Sequence, residues 1–303
     1  MRHVPVLLNE VADSLQLKPG MKVIDCTVGD AGHAEKILEI IGADGRLLAI
    51  DADPESLLRA KKFLYKFGGQ VTFARGNFGD LREIAVRENF FPVHAVLFDL
   101  GWSSPQFAER GRGFSFQNDE PLDMRYGGRS DKSAPTAADI LNQRSIEELE
   151  RIFREYGEER LAREIALATV TQRTVGPLER TSQLVKIIVE VYRNKLRSKK
   201  EVPWVGGLHP ATKVFQALRL AVNDELAVLE RALPQAIEVL AIGGRLAVIT
   251  FHSGEDRLVK HYFKSIIGKN LTLPIKKPIT CQASESATNP RARSAKLRVA
   301  EKI

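Results

Sequence analysis

A chain of 303 residues, 44% hydrophobic and 27% charged, is long enough for one large domain or for a domain carrying an insertion. No apolar run approaches the ~20 residues of a membrane span, Met1–Glu10 is charged too soon to read as a signal peptide, and Cys26 and Cys281 form neither a disulfide framework nor a zinc pattern. A cytoplasmic protein that meets no membrane is the simplest expectation. The net charge of +7 is uneven: residues 255–303 hold 11 Lys/Arg against 4 Asp/Glu, which accounts for all of it, and a second basic cluster runs from Arg193 to Lys200. Clustered cations suit phosphate backbones, although a solvated surface is the commoner reading of charge alone.

In chain order, the first half alternates strand and helix. Strands are expected over Met21–Cys26, Arg46–Asp51, Val71–Ala74 and Ala95–Leu100, with helices between them such as Pro54–Phe67. That alternation argues for a parallel sheet with right-handed crossovers. Residues from about 105 to 135 are rich in Gly, Pro, Ser, Asp and Arg and lack a period. Helices dominate from Thr136 to about Arg197, with Ser145 and Glu148 as a capping-box pair ahead of the stripe Ile146, Leu149, Ile152, Phe153 and Tyr156. A third helix is expected from about His209 to Val239, and the β signal returns once, over Gly243–His252. A late strand rejoining an α/β pattern implies an insertion. The expected division is 1–107 with 208–303 as a doubly wound, Rossmann-like sheet domain, and 108–207 as an inserted, all-helical, substrate-binding domain.

The most informative stretch is Val23–His33, where an apolar strand ends at Asp25 and runs through Gly29 and Gly32 into a helix. Glycine there allows positive φ and close approach of backbone to a ligand, and the strand–loop–helix unit is the one that binds nucleosides in such folds. A dinucleotide site wants G-x-G-x-x-G; Gly29-Asp-Ala-Gly32 departs from that spacing, and Asp30 would sit near the phosphates. A cofactor without phosphate suits the loop better, and S-adenosylmethionine, with its cationic sulfonium, is such a cofactor. Asp25, Asp51 and Asp99, each at or next to a strand end, make an acidic cup for it, Asp51 being placed for a ribose. Each alone could equally cap a helix. His33, His209 and His252 show no metal-ligand spacing, so no metal is expected.

Taken together, His3–Val11, Asp25–Gly29 with Gly32-His33, Asp99–Gly101 with Ser103–Gln106, Arg112–Phe116, Pro121–Arg125, His209–Arg219, Phe251–Arg257 and Asn289–Ser294 form eight blocks in order across nearly the whole chain. In these the chain resembles the bacterial small-subunit (16S) rRNA cytosine-N4 methyltransferase family, RsmH (MraW). It departs from the family where Ala31 replaces a glycine, Trp102 a small aliphatic residue, Phe107-Ala108 a Leu-Asp pair, and Gly254 a leucine. The Ala31 change is minor if φ there is negative; Gly254 is expected to loosen a loop.

The resemblance implies a class I S-adenosylmethionine methyltransferase fold and methyl transfer to the exocyclic N4 amine of a cytosine in the decoding region. Cofactor contacts carried over by motif position fall on Ala31, Gly32, His33, Asp51, Phe78, Asp99 and Gln106; Asp25 and Gly29 join them from the loop itself. Asp99, with Ser103 and Ser104 in the turn that follows, is the expected catalytic rim. Arg112, Phe114 and Arg125 are expected to stack or hold the splayed base, and Arg291, Arg293, Lys296 and Arg298 to hold RNA phosphates. The expected partner is small-subunit rRNA or the 30S particle, with a homodimer allowed. Two other readings stay open on the residues alone: a non-catalytic cofactor-binding RNA chaperone or assembly factor on this scaffold, and a nicotinamide-dependent oxidoreductase.

Overall fold

A computed structural model describes residues 4–101, 111–128, 134–197 and 209–303. Its contacts divide the chain into two compact units, Met1–Ser103 with Leu226–Ile303, and Ser104–Glu225. Among the described residues no helix is long and apolar enough to cross a membrane.

The strands are β1 (Lys22–Asp25), β2 (Arg46–Asp51), β3 (Val71–Arg75), β4 (Val93–Asp99), β5 (Leu240–Thr250), β6 (Leu271–Thr272) and β7 (Lys296–Lys302). The described α-helices, in chain order, begin with α1 (Leu8–Leu15), α2 (Gly32–Ile41), α3 (Pro54–Phe63) and α4 (Leu81–Arg87). They continue with α5 (Ala137–Gln143), α6 (Ile146–Glu155), α7 (Ala162–Arg173), α8 (Thr181–Leu196) and α9 (Thr212–Asn223). The last are α10 (Glu225–Val239), α11 (Ser253–Ile266) and α12 (Ala283–Thr288).

In the first unit all seven strands form one sheet in the order β3-β2-β1-β4-β5-β7-β6. The first five are parallel, and β7 runs antiparallel to both its neighbours. The central strands are apolar on both faces because both faces are covered. Val23, Leu47, Ala49, Ala95, Leu97, Ala247 and Ile249 pack with α1, α2 and α3. Their alternates Ile24, Leu48, Ile50, Val96, Phe98, Leu246 and Val248 pack with α4, α10 and α11. Full burial of each such Leu, Ile or Phe stabilises the sheet by ~1.5–3 kcal/mol, which fixes register and so fixes which residues emerge at the carboxyl ends of the strands.

In the second unit, capping boxes at Thr136/Asp139 and Ser145/Glu148 start α5 and α6. The Ser145 pair is the one the sequence signals, and Leu149 and Phe153 of its stripe are buried. Leu184, Ile187, Ile188 and Tyr192 of α8 form a second buried stripe.

Two of the differences from the sequence expectation concern whole elements. The helix expected over 209–239 is two: Asp224, with φ of +50°, ends α9, and α10 starts afresh at Glu225. The contacts accordingly group α9 with the helical unit, whereas the sequence pattern places the boundary at 207/208. The second difference is β7, which in sequence looks like part of a basic tail. Its Lys-Leu-Arg-Val order alternates, and Leu297 and Val299 are buried while Lys296 and Arg298 both reach Asp256 on α11, at 3.2 and 2.7 Å.

The loop from β1 to α2 turns through Gly29 (φ +50°) and Ala31 (φ +62°). Ala31 is fully buried and its backbone is in the left-handed region, so an alanine at the position where a glycine is expected is not the minor change it would be at negative φ. An L-residue there costs roughly 1–2 kcal/mol, partly offset by the extra chain entropy a glycine loses on folding. Ala31→Gly is therefore expected to stabilise the protein by about 0.5–1 kcal/mol. Denaturant unfolding checks this; equal or lower stability would show that the turn carries no strain.

Candidate active site

The carboxyl ends of β2, β1 and β4 lie side by side, because β1 pairs with both of the other strands. Each ends on an aspartate: Asp51, Asp25 and Asp99. This is the end of the sheet, next to the point where strand order reverses, at which doubly wound folds bind ligands. The helix-capping role that any of the three could have filled belongs instead to Asp53, which accepts from the Glu55 and Ser56 N–H groups of α3.

Main-chain donors hold the Asp25 and Asp51 carboxylates, and the Asp99 backbone is tied to Thr27. Asp25 Oδ1 accepts from the Thr27 N–H at 3.1 Å. Asp51 Oδ2 accepts from the Gly29 N–H at 3.0 Å and its Oδ1 from the Asp53 N–H at 2.9 Å, which ties the glycine loop to the end of β2. The Asp99 N–H donates to Thr27 Oγ1 at 2.8 Å. Thr27 does not stand out in the sequence, although it lies in the Asp25-Cys-Thr motif; its hydroxyl links the ends of β1 and β4.

His33 opens α2 and is 6% exposed, with its Nε2 3.5 Å from Asp99 Oδ2. Gly32 beside it is required by space: a Cβ would lie 2.2 Å from Pro5 Cγ. The Leu7 N–H donates to Glu285 Oε1 at 2.8 Å, so the N-terminal segment and α12 together wall this loop.

The charges do not sit independently. Burial pushes the Asp25 carboxyl up to about 7; the positive His33 and the Thr27 N–H oppose this, while Asp99 and Asp51 add to it. For His33, burial works against the charged form, but the contact with Asp99 and the negative charges of Asp99, Asp25 and Glu285 outweigh it and raise its pKa above the ordinary value.

These residues fit a cationic nucleoside. Asp99 Oδ1 is buried with no hydrogen-bond partner among the described residues, an acceptor held ready for a donor or a positive charge. Asp30, in the glycine loop, is buried and paired with Arg59 Nε at 2.8 Å, so a carboxylate stands where a dinucleotide would bring a pyrophosphate. Phe78, on the 3₁₀ turn Phe78–Asp80, is half-buried with its ring 5.3 Å from that of Phe98.

The remaining expected residues are distributed differently. Ser103, Ser104 and Gln106, with Trp102, Phe107 and Ala108, lie outside the described residues. Within the helical unit, Arg112 and Phe114 are buried; Arg112 Nη1 donates to the Arg125 and Tyr126 carbonyls and Phe114 stacks on Tyr126 at 5.7 Å. Arg125 pairs with both oxygens of Asp123. Among the described residues, these three side chains thus have partners inside their own unit.

In the sheet unit, Arg291 lies 5.2 Å over the Phe251 ring and Arg293 Nε donates to the Ser286 carbonyl. His252 caps α11 through the box it forms with Glu255. Gly254 is in the first turn of α11, not in a loop; the space a side chain would enter is bounded by the His252 ring at 3.2 Å.

Residues 1–303 match the MraW methylase family from end to end. The chain belongs to that family. It is 44% identical to a protein of Symbiobacterium thermophilum named ribosomal RNA small subunit methyltransferase H, over 99% of this chain and 96% of that one. Proteins of the same name from Heliobacterium modesticaldum and Dehalococcoides mccartyi are 43% and 42% identical over 99% of this chain, covering 98% and 86% of theirs. The membership agrees with the resemblance carried by the eight ordered blocks.

Because folding raises the Asp25 pKa from 3.8 to about 7, its protonated form is the one the fold favours. That contribution is full below about pH 4 and is lost as pH rises to 7, above which the buried carboxylate is a net cost. Asp25→Asn is therefore expected to leave stability unchanged near pH 4 and to raise it by a few kcal/mol at pH 8, since each tenfold change in proton affinity on folding is worth about 1.4 kcal/mol. Thermal unfolding at the two pH values reads this; a gain of equal size at both would show that the carboxylate is not ionised against its surroundings.

Proposed function

We propose that this protein transfers a methyl group from S-adenosylmethionine to the exocyclic N4 amine of a cytosine in small-subunit rRNA, near the decoding centre. The observation that carries the reading is the row of three aspartates at adjacent parallel strand ends, on a chain whose relatives at 42–44% identity are named as small-subunit ribosomal RNA methyltransferases. The reading brings with it a cytoplasmic enzyme, monomer or homodimer, acting on rRNA or on the 30S particle.

The loop Gly29–His33 offers backbone groups to the methionyl part of the cofactor, Asp51 takes the ribose, and Phe78 with the Phe98 layer behind it lines the adenine side. Asp25 and Asp99 supply the negative charge that a sulfonium favours. When bound, the cofactor supplies a methyl carbon on cationic sulfur: the N4 lone pair forms the new N–C bond, the C–S pair stays on sulfur, and N4 sheds one proton.

The N4 lone pair is delocalised into the pyrimidine ring, so the amine must pyramidalise before it can attack. Asp99, at the end of β4, accepts an N–H of that amine, favours the pyramidal form and then takes the proton. In-line positioning contributes the larger share, since effective molarities of ~10⁵ M and above come from geometry alone. The base must leave its stack to reach the site, at a cost of a few kcal/mol. With Arg112, Phe114 and Arg125 engaged within the helical unit, that unit serves the RNA as a preformed surface, and the basic side chains around Arg291 and Arg293 contribute phosphate affinity.

The test is mass spectrometry of small-subunit rRNA from a strain lacking the modification, after incubation with the protein and labelled cofactor. One labelled N4-methylcytosine is expected; unlabelled rRNA, with the cofactor bound, would overturn the reading. Asp99→Asn is expected to slow single-turnover transfer by ~10²–10⁴-fold, the usual worth of a general base. An unchanged rate would remove Asp99 from the chemistry.

A further inference from the structure

We infer that His33 is the positioning residue for Asp99: its ring engages one carboxylate oxygen and thereby turns the other toward the target amine. The inference rests on the methyl-transfer reading and deepens it. The backbone of Asp99 is fixed, with its own N–H on Thr27 Oγ1 at 2.8 Å and the N–H of Leu100 on the Ile249 carbonyl at 3.0 Å. Those bonds leave the carboxylate free to rotate about its side-chain torsions. Its two oxygens are in different circumstances: Oδ2 is 3.5 Å from His33 Nε2, whereas Oδ1 is buried and accepts no hydrogen bond among the described residues.

The ring itself is held. His33 follows the Ala31–Gly32 turn, Pro5 lies in the space a Gly32 side chain would need, and the imidazole is 6% exposed. Charged groups face it from three elements: Asp99 from β4, Asp25 from β1 and Glu285 from α12. Neither ring nitrogen makes an ordinary hydrogen bond among the described residues. A buried imidazole placed this way leaves hydrogen-bonding capacity unmet, which a fold does not retain for stability. It is well placed to act as a cation against carboxylates and poorly placed to act as a structural hydrogen-bonding group.

The consequence for the reaction is orientational. A planar carboxylate with one oxygen engaged presents the other along a defined line, and an acceptor misplaced by about 1 Å can cost ~10²-fold in rate. His33 takes no part in the bond changes; it acts through Asp99.

Two measurements on the full-length protein test this. In the first, the imidazole of His33 is titrated by NMR in the native protein and in Asp99→Asn, without any turnover. The pKa of His33 is expected to fall by about one pH unit or more when the carboxylate is neutralised, the usual effect of losing an opposite charge within 4–6 Å; an unmoved titration overturns the inference. In the second, His33→Gln is expected to lower the single-turnover methylation rate ~10–100-fold when measured at saturating cofactor and rRNA. A loss confined to cofactor affinity, or no loss in rate, overturns it. If native protein with bound cofactor methylates no rRNA, the functional reading falls, and the His33 titration still decides the coupling to Asp99.

Discussion

The burial of one carboxyl between two others is the constraint on which this molecule turns. Sheet order alone brings Asp51, Asp25 and Asp99 together, because β1 is hydrogen-bonded between β2 and β4. Burial of Asp25, with a smaller contribution from the two neighbouring carboxylates, keeps that carboxyl half-protonated near neutral pH. A protein core does not gain stability from such an arrangement. Main-chain N–H groups of Thr27, Gly29 and Asp53 bind the Asp25 and Asp51 carboxylates, and His33, when protonated, offsets part of the charge around Asp25. A cationic ligand would relieve what remains, and this is the physical link proposed between the fold and a sulfonium cofactor.

Much of the sheet unit is legible in the sequence, for an identifiable reason. Strands covered on both faces read as continuous apolar runs, and β1, β2 and β4 are of that kind, each ending abruptly at a carboxylate. β7 escapes such a reading because only one of its faces is apolar, and its polar positions are Lys296 and Arg298, which look like tail residues until Asp256 is seen beneath them. The split of the 209–239 helix escapes it because the apolar period continues through Asp224. The break lies in a single left-handed backbone conformation that periodicity does not report.

In the site, residues on strand ends and in the glycine loop are readable because chemistry and topology point the same way. Residues in the irregular stretch near 111–128 are harder. An Arg beside aromatic residues has the same appearance whether it stacks on a base or braces a loop, and here Arg112 and Phe114 brace the loop around Tyr126. Thr27 and Glu285 have no sequence signal of their own. Thr27 acts because β4 lies next to β1, and Glu285 because α12 folds back against residue 7. Ala31 is the opposite case: its positive φ is the conformation that a glycine, the residue expected there, adopts without strain.

The most direct measurement compares S-adenosylmethionine with its neutral demethylated product, S-adenosylhomocysteine, by calorimetry between pH 6 and 8. Ionisation of Asp25 through pH 7 adds negative charge beside the sulfonium, so affinity for the cation should rise across this range relative to that for the thioether. A ratio that stays flat, or the absence of binding by either compound to well-folded protein, would contradict the central claim that the aspartate row is built for a positive charge.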